Sequence, residues 1–557
     1  MIRRAVEFNV AASQDTERRA LTRQSTTRRV TDASGLLAAV DDTSVETILV
    51  AAGTYELTNS TPGLCACEPP FEHSSERLNR LFGYAALCII GRQLSIRAET
   101  NGTVVLNATK QTWRVIYVGG GGRAELVGLT ITGGFAERGG GLLIAGGGRA
   151  TLTSCAITGN KAAHGGGLAI WEGSSQATLT SCTISENKAS LYGGGLAISA
   201  ISGQITMTGC VISGNTVRDG RAAGLAAYGK RSQVTMTECV ISGNFGGDGG
   251  GGGLEIYGQA NLTSCTISGN KVAQGGGLSI HGTANLTSCT ISGNVADPNF
   301  VTGGDPRYGG AGGLNIEDGG KATLTSCTIS GNSAAGAGGG LAVHGHATLI
   351  SCVISGNEAS YGGGLYLVGK AALSDVMITG NHAIEGGGLF MECRPADFEV
   401  VEPGDFTSHC SMNLLSSTVT HNDADWSGGG LHLGASHAGP QGVALIIGDS
   451  VFVSNRAPAG SSVANQGNAT VYLLPTPPGT YLPHEYTCDS SCVGFPRVEQ
   501  RATLSLIEDV DLPHICPRGY WCDGVERHPC PPGKRGDGTG FSNSQCGVRG
   551  MVEPSGQ

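Results

Sequence analysis

The sequence has no excess of basic residues and no apolar run long enough to cross a membrane. Its 557 residues include 35 lysines and arginines against 45 aspartates and glutamates, which gives a net charge of −10. Nucleic-acid phosphates are bound by surfaces rich in lysine and arginine, so this balance argues against nucleic acid as a partner. A membrane-spanning helix needs about 20 predominantly apolar residues in succession, and the sequence contains no such run.

A collagen triple helix and a disordered chain are also excluded, because the sequence lacks the glycine period of the first and the high glycine and proline content of the second. Glycine does not recur at every third position, as a collagen triple helix requires. The 92 glycines and 20 prolines make up 112 of the 557 residues, below the share typical of disordered proteins. The glycine-rich segment 246–254 contains Asp248 but no aspartate at the position that calcium-binding nonapeptide repeats require, and no metal site or cofactor is predicted elsewhere.

A glycine-rich repeat fills most of the chain. One copy, residues 275–294, reads GGGLSIHGTANLTSCTISGN, and its closing Asn294 lies 24 residues after the equivalent Asn270. The Gly-Gly-Gly-Leu opening recurs at Gly139, Gly165, Gly193, Gly251, Gly338, Gly362, Gly386 and Gly428. A unit this short, without helical periodicity, cannot bury a face alone and must stack on its neighbours. The repeat therefore predicts a solenoid.

Each repeat is predicted to contain three short parallel strands. In the copy above they are Leu278–Ile280, Ala284–Leu286 and Cys289–Ile291. Alternation along the first strand points Ser279 and His281 outward, while the flanking Leu and Ile point into the core. Asn294 is expected in the left-handed conformation at a bend, where equivalent asparagines would form a hydrogen-bonded ladder. The triple glycine allows a tight corner with positive φ.

One cysteine per repeat occupies an inward position. This column consists of Cys155, Cys182, Cys210, Cys239, Cys265, Cys289, Cys327 and Cys352. Stacked Cβ atoms lie about 4.8 Å apart, which is longer than the ~3.8 Å that a disulfide prefers. We therefore expect free thiols that pack as small apolar groups.

The repeat pattern resembles that of right-handed parallel β-helix proteins of the pectin-lyase-like superfamily. The Gly-Gly-x-Leu and x-x-x-Asn alternation is similar to the repeats of polymorphic outer-membrane proteins, and ILVAAGTY at 48–55 resembles the first strand of pectin-lyase-like domains. The resemblance spans about residues 31–474. It implies an all-β, right-handed parallel β-helix of about a dozen rungs. Residues 31–42, TDASGLLAAVDD, predict a short helix with Thr31 or Asp32 as its N-cap, which would form an N-terminal helical cap on the solenoid.

Five segments are predicted along the chain. They are a disordered Arg-rich leader (1–30), a cap and first rungs with a cysteine insertion (31–118), the β-helix repeats (119–474), a linker (475–515) and a cysteine-rich module (516–557). The last segment carries C-P-x-G-Y and C-P-P-G pieces. It resembles the small cysteine-rich modules of ephrin-receptor and TNF-receptor-like extracellular proteins.

Cysteines outside the repeat column are predicted to form disulfides. They are Cys65, Cys88, Cys393, Cys410, Cys516, Cys522, Cys530 and Cys546. The spacings in the cysteine-rich module are not those of zinc knuckles, which favours disulfides of an extracellular or cell-surface protein. The opening MIRRAVEFNV has no signal-peptide core, so we expect the natural N-terminus to lie further upstream.

A ligand-binding groove is predicted on the outward side of the Leu-x-Ile strand. Insertions at 297–308 and 394–409 flank this face, which in pectin-lyase-like enzymes binds polysaccharide. Aromatic residues on it are predicted to stack on sugar rings: Trp171, Tyr228, Tyr257, Tyr366 and Phe390. The competing interpretation is that aromatic residues simply suit exposed strands.

His281, Glu317 and His344 occupy consecutive rungs of one outward column. If the register holds across the insertion, neighbours lie about 4.8 Å apart, where histidine and carboxylate could do acid–base work or hold a metal. A solvated polar column is the competing interpretation. The paired-Asp, Gly-His-Gly and Arg-x-Lys pieces of polygalacturonases are missing, as is the carboxylate cluster of calcium-dependent lyases.

The sequence thus favours a non-catalytic protein for adhesion or glycan binding, with a polysaccharide or surface glycan as partner. The alternative is a polysaccharide lyase or glycoside hydrolase that uses His281, Glu317 and His344 in the groove. A minor alternative is an ice-binding surface on a regular threonine array, formed by Thr153, Thr180, Thr208, Thr237, Thr263, Thr287 and Thr325.

Overall fold

The computed structural model describes most of residues 26–465. Within this span the residues left out of the description are 59–64, 67–83, 110–111, 200–201, 219, 248–249, 273–274, 298–309, 393–409, 435–443 and 449. Beyond residue 465 only short strands are described: Thr470–Leu473, Thr480–Tyr481, Gln500–Thr503, His514–Ile515, Tyr520–Cys522, Arg527–Pro529, Lys534–Arg535 and Gly547–Val548. The predicted linker and cysteine-rich module therefore lie largely outside the described residues.

The chain begins with a strand and a capped helix. The strand Thr26–Val30 pairs in parallel with Val45–Val50, so folded structure starts inside the predicted leader. The predicted helix is confirmed at Ala33–Asp41, where the Asp32 carboxylate accepts a hydrogen bond from the Gly35 N–H at 2.7 Å. Its buried side chains join the same core as the first rungs. In the described part of the chain, no helix has the length and hydropathy of a membrane span.

Each rung contributes one strand to each of three long sheets. Sheet 1 contains Cys65–Ala66, Tyr84–Ile90, Arg114–Gly119, Leu142–Ala145, Leu168–Trp171, Leu196–Ile198, Leu225–Ala227, Leu254–Ile256, Leu278–Ile280, Leu314–Ile316, Leu341–Val343, Leu365–Leu367, Leu389–Met391, Leu431–Leu433 and Val463–Asn465. Sheet 2 contains Thr26–Val30, Val45–Val50, Gln93–Ala98, Arg123–Val127, Arg149–Thr153, Gln176–Thr180, Gln204–Thr208, Gln233–Thr237, Gln259–Thr263, Thr283–Thr287, Lys321–Thr325, His346–Ile350, Lys370–Ser374, Ser411–Leu415, Ala444–Gly448, Thr470–Leu473 and Gln500–Thr503.

Sheet 3 follows in each rung. It contains Gly53–Glu56, Val104–Asn107, Leu129–Thr132, Ala156–Thr158, Thr183–Ser185, Val211–Ser213, Val240–Ser242, Thr266–Ser268, Thr290–Ser292, Thr328–Ser330, Val353–Ser355, Met377–Thr379, Thr418–Thr420 and Val451–Val453. Successive strands within the repeats pair in parallel and in register, as Leu278 does with Leu314. The predicted all-β parallel solenoid is confirmed.

A fourth, shorter strand per rung was not predicted. These strands form the fourth face: Lys161–His164, Lys188–Tyr192, Thr216–Val217, Lys271–Val272, Val295–Ala296, Ser333–Ala334, Glu358–Tyr361, His382–Glu385 and Asp423–Ser427. They span two to five residues and lie directly before the glycine corner. Each has a buried Ala or Val at its second position, but the strands are too short for an alternation of period two to reveal them.

The core is one continuous column of stacked side chains. Leu278, Ile280 and Ile291 are fully buried, as are their equivalents in neighbouring rungs. Cys289 and the other column cysteines are buried and free, which confirms the predicted thiols. The Cys289 S–H donates to the Thr287 carbonyl at 3.4 Å.

The predicted asparagine ladder is confirmed, but its backbone conformation was predicted wrongly. Each side-chain oxygen accepts both the backbone and the side-chain N–H of the preceding asparagine, as Asn332 does from Asn294 at 3.0 Å. The left-handed residues are instead Gly293 at φ +61° and Ser288 at φ +52°. A left-handed residue precedes each ladder asparagine; it is a glycine in most rungs, which makes the bend without strain, and Glu186, His421 or Ser454 in the others.

Two predicted disulfide cysteines are described, Cys88 and Cys410, and both are disulfide-bonded. The side chain of Cys65, the whole of Cys393 and the cysteine side chains of the tail lie outside the described residues. The pairings therefore stay predictions.

Candidate functional site

The position between Leu and Ile of sheet 1 was predicted to lie on an open outward face, and the predicted exposure is wrong. Ser279 is 1% exposed, and every equivalent position from Ala169 to His432 is buried. The chain folds over this position at the glycine corner: Gly275 has φ +70°, and a Cβ added there would clash with the Ser279 hydroxyl. Only the next column, which includes His281, remains partly open to solvent.

Glu255, at one of these covered positions, is a fully buried carboxylate. The Tyr228 hydroxyl donates to one of its oxygens at 2.8 Å, and His281 Nε2 lies 3.2 Å from the other. The Arg221 guanidinium and the Tyr257 hydroxyl each reach that second oxygen at 3.4 Å. A buried charge is tolerated only when it is paired, and here four groups from three neighbouring rungs surround it.

Glu317 lies beside this arrangement. Sheet 1 keeps its register across the insertion, because Ile280 pairs with Ile316, and this places His281 next to Glu317 in the open column. The Asn315 side chain donates to Glu317 at 2.7 Å. Burial raises the pKa of Glu317, nearby Glu255 adds to the rise, and His281 opposes it. We call Arg221, Tyr228, Glu255, Tyr257, His281 and Glu317 the polar cluster.

The two tyrosines of the polar cluster act as proton donors at neutral pH. Burial, reinforced by the Glu255 charge, raises the pKa of Tyr257 to about 12 and raises that of Tyr228 as well. Both phenols therefore stay protonated at neutral pH, and both donate hydrogen bonds to Glu255. The Arg221 guanidinium also contacts the Tyr257 hydroxyl at 3.1 Å while remaining about half exposed.

A continuous row of aromatic rings runs along the axis to the polar cluster. Neighbouring ring centroids lie 4.0 to 5.4 Å apart through Trp171, His164, Tyr192, Tyr228, Tyr257 and His281. We call this set the aromatic row; all six side chains are partly exposed. At its far end the Arg138 guanidinium lies 4.2 Å from the Trp171 ring.

A family model for the right handed beta helix region matches residues 101–296 and again residues 248–473. Together the two matches cover more than half of the 557 residues. The chain belongs to the right-handed β-helix family. No curated protein gives a significant match to it.

Among solved structures, this β-helix protein is similar to the A-modules of two mannuronan C-5 epimerases of Azotobacter vinelandii. The AlgE6 module is 11% identical at a TM-score of 0.35, over 76% of this chain and 95% of the module. The AlgE4 module is 10% identical at a TM-score of 0.29, over 78% and 95% respectively. Neither likeness bears on the chemistry of the site.

The β-helix brings only some of the predicted site residues together. Trp171, Tyr228 and Tyr257 lie in the aromatic row, and His281 and Glu317 lie in the polar cluster. His344 follows on the next rung, where its ring packs against Tyr366 with centroids 6.2 Å apart.

Tyr366 and Phe390 do not fit their predicted role. Tyr366 is 0% exposed and Phe390 is 4% exposed, because both occupy the position covered by the glycine corner. Their rings stack with centroids 5.6 Å apart, and the Tyr366 hydroxyl donates to Glu392 at 2.8 Å. Neither ring offers a face to a sugar, so we remove both from the candidate set.

Sequence reasoning missed Glu255, Arg221, His164 and Tyr192. One signal for Glu255 was available, since it interrupts a column that otherwise holds alanine, serine and asparagine from Ala169 to Ala342. The two rings His164 and Tyr192 come from the fourth face, which was not foreseen. Within the described part of the chain, no three His, Cys, Asp or Glu side chains come together as a metal site.

Proposed function

We propose that this β-helix protein binds an acidic polysaccharide along the aromatic row and cleaves it by β-elimination at the polar cluster. One observation supports an active site most directly: four polar groups converge on the buried carboxylate of Glu255. The fold does not need a charge there, because Ala226 and Ser279 occupy the same position in adjacent rungs. Burying a carboxylate is expensive, so a role beyond folding accounts for it best.

The residues suit elimination better than hydrolysis. Glycoside hydrolases act with two carboxyl groups that both reach the substrate. Glu255 is enclosed by its four partners and serves instead to orient His281 and to stabilise its protonated form. Within the polar cluster, this leaves Glu317 as the carboxyl group that could face a sugar.

In the proposed reaction, Arg221 pairs with the carboxylate of a uronic acid residue. His281 takes the proton from the carbon next to that carboxylate, and its positive charge is balanced by Glu255. The bond to the glycosidic oxygen then breaks as a carbon–carbon double bond forms in the ring. Glu317, whose raised pKa favours the protonated form, gives its proton to the leaving oxygen.

The test incubates the full chain with polyuronates and with neutral polysaccharides, and follows the ultraviolet absorbance of the unsaturated product. We expect product from polyuronates only, and a loss of about 100-fold or more in Glu317→Gln and in His281→Ala. Glu358→Gln, which changes an exposed carboxylate on the fourth face, is the matched control and should retain full activity. New reducing ends without the double bond, or no product from any polyuronate, would refute the elimination.

A second candidate is glycan binding without catalysis, and the aromatic row favours it. Partly exposed rings on successive rungs match the apolar faces of a sugar chain. In this case the protein would be retained on an immobilised polyuronate without releasing product. Retention should weaken in Trp171→Ala, whereas Glu317→Gln should leave it unchanged.

A further inference from the structure

A second concave surface lies on the fourth face. It is a trough of about 860 Å³. Its floor is made of small buried side chains, among them Ala162, Ala189 and Val217. At its two ends stand Phe135 and Phe245, which are 39% and 41% exposed. We call this surface the apolar trough.

The apolar trough is long and narrow. Five successive rungs pair in register along the trough. The equivalent position on these rungs is occupied in turn by Phe135, Lys161, Lys188, Thr216 and Phe245. Four rung spacings of about 4.8 Å make the distance between the two phenylalanines about 19 Å. Such a volume lies within the ~300–1,000 Å³ of small-molecule sites. The shape therefore fits an elongated small molecule.

The rim of the trough is positively charged. Lys161 and Lys188 are paired in register on adjacent strands, where like charges repel each other. Neither ammonium group has a carboxylate partner among the residues that the structure describes. Arg218 also lines the trough, and the lining carboxylate of Glu137 lies 3.9 Å from the Arg138 guanidinium. In a chain of net charge −10, this local positive rim is complementary to an anion.

An apolar floor with exposed phenylalanines and a cationic rim selects a ligand with two parts. The hydrocarbon part needs no hydrogen bonds from the alanine floor and covers the exposed rings. The anionic part offsets the repulsion between the two lysines. A sugar chain fits poorly, because its hydroxyl groups would lie on alanine without partners.

We propose that the apolar trough binds a long-chain fatty carboxylate. Its hydrocarbon chain lies on the floor between Phe135 and Phe245, and its carboxylate contacts Lys161 and Lys188. The residues that line this site are separate from those of the polar cluster, and the site does not depend on the proposed elimination.

The test titrates the full chain with cis-parinarate, a fluorescent polyene fatty acid, and then displaces it with palmitate or with hexadecyltrimethylammonium. We expect saturable binding of one equivalent, displacement by palmitate, and much weaker displacement by the cationic amphiphile. The double variant Lys161→Gln/Lys188→Gln should weaken binding at least tenfold, as should Phe245→Ala. Lys321→Gln, at an exposed lysine of sheet 2, is the matched control.

Three results would overturn the proposal: no saturable binding, equal displacement by the two amphiphiles, or unchanged affinity in the double lysine variant. Circular dichroism of each variant shows whether the β-helix is retained. Glu317→Gln should bind cis-parinarate like the natural chain, and polyuronate should not displace it. Loss of the proposed elimination and loss of the fatty-acid site are thus measured separately.

Discussion

The side chain of Asn294 carries four buried hydrogen bonds, and its removal tests what holds successive rungs together. Its Nδ2 donates to the Ile267 carbonyl at 2.9 Å and to the Asn332 side chain at 3.0 Å. Its Oδ1 accepts the backbone N–H of Asn270 at 3.0 Å and the Asn270 side-chain N–H at 2.9 Å. Asn294→Ala deletes all four at once.

The expected loss of stability follows from these bonds. At about 1 kcal/mol net for each, four bonds contribute about 4 kcal/mol. The Asn270 N–H loses its partner while still buried, and an orphaned buried group costs about 1–3 kcal/mol, so the expected loss of stability is about 5–7 kcal/mol. Asn285 is the matched control on the same rung, because it is exposed and makes one side-chain bond, to Asn261 at 3.0 Å. Asn285→Ala should change stability by less than about 0.5 kcal/mol.

Urea unfolding combined with native-state hydrogen exchange measures both variants. Solenoids couple each rung mainly to its neighbours, so the exchange data are needed to show whether opening is local. We expect Asn294→Ala to lose amide protection first in the rungs that hold Asn270 and Asn332. Equal free-energy losses in the two variants, or a loss below about 1 kcal/mol for Asn294→Ala, would refute the role of the ladder.

Two further predictions concern single buried positions. Burial lowers the pKa of His432 from 6.5 to about 4, so below pH 6.5 the unfolded chain binds a proton that the folded chain does not. Folding stability should therefore fall by about 3 kcal/mol from pH 6.5 to pH 4 in urea unfolding. His432→Gln should remove this slope and the exposed control His421→Asn should keep it; a slope unchanged in His432→Gln contradicts the assignment. Gly276→Ala should lower the melting temperature strongly, since its Cβ would clash with the Gly312 carbonyl, whereas Gly293→Asn, at φ +61° with open space, should be tolerated; equal melting temperatures would contradict this.

Much of the coil could be predicted from the sequence because its determinants are local and repeated. Alternation along a strand fixes Leu278 and Ile280 as core residues in every copy. An identical asparagine at the same place in each repeat stacks on its neighbours in a solenoid, so the ladder followed from the repeat. The N-terminal helix could likewise be predicted from the sequence, because capping by a residue such as Asp32 depends only on a few neighbouring residues.

The candidate site depended on the path of the chain between the strands, which the repeat pattern does not encode. At the corner formed by Gly275 the chain passes over Ser279, and the same happens at the equivalent position of the other rungs. The residues at this position, which were predicted to be exposed, are therefore buried. That path of the chain buries Tyr366 and encloses Glu255, whose four partners come from three rungs and lie up to 34 residues from Glu255 in sequence. The sequence by itself determined the rung, because stacking repeats one local pattern. Only the tertiary structure decided which side chains meet on the outside of the coil, because those contacts join different rungs, and the outward residues differ from one rung to the next.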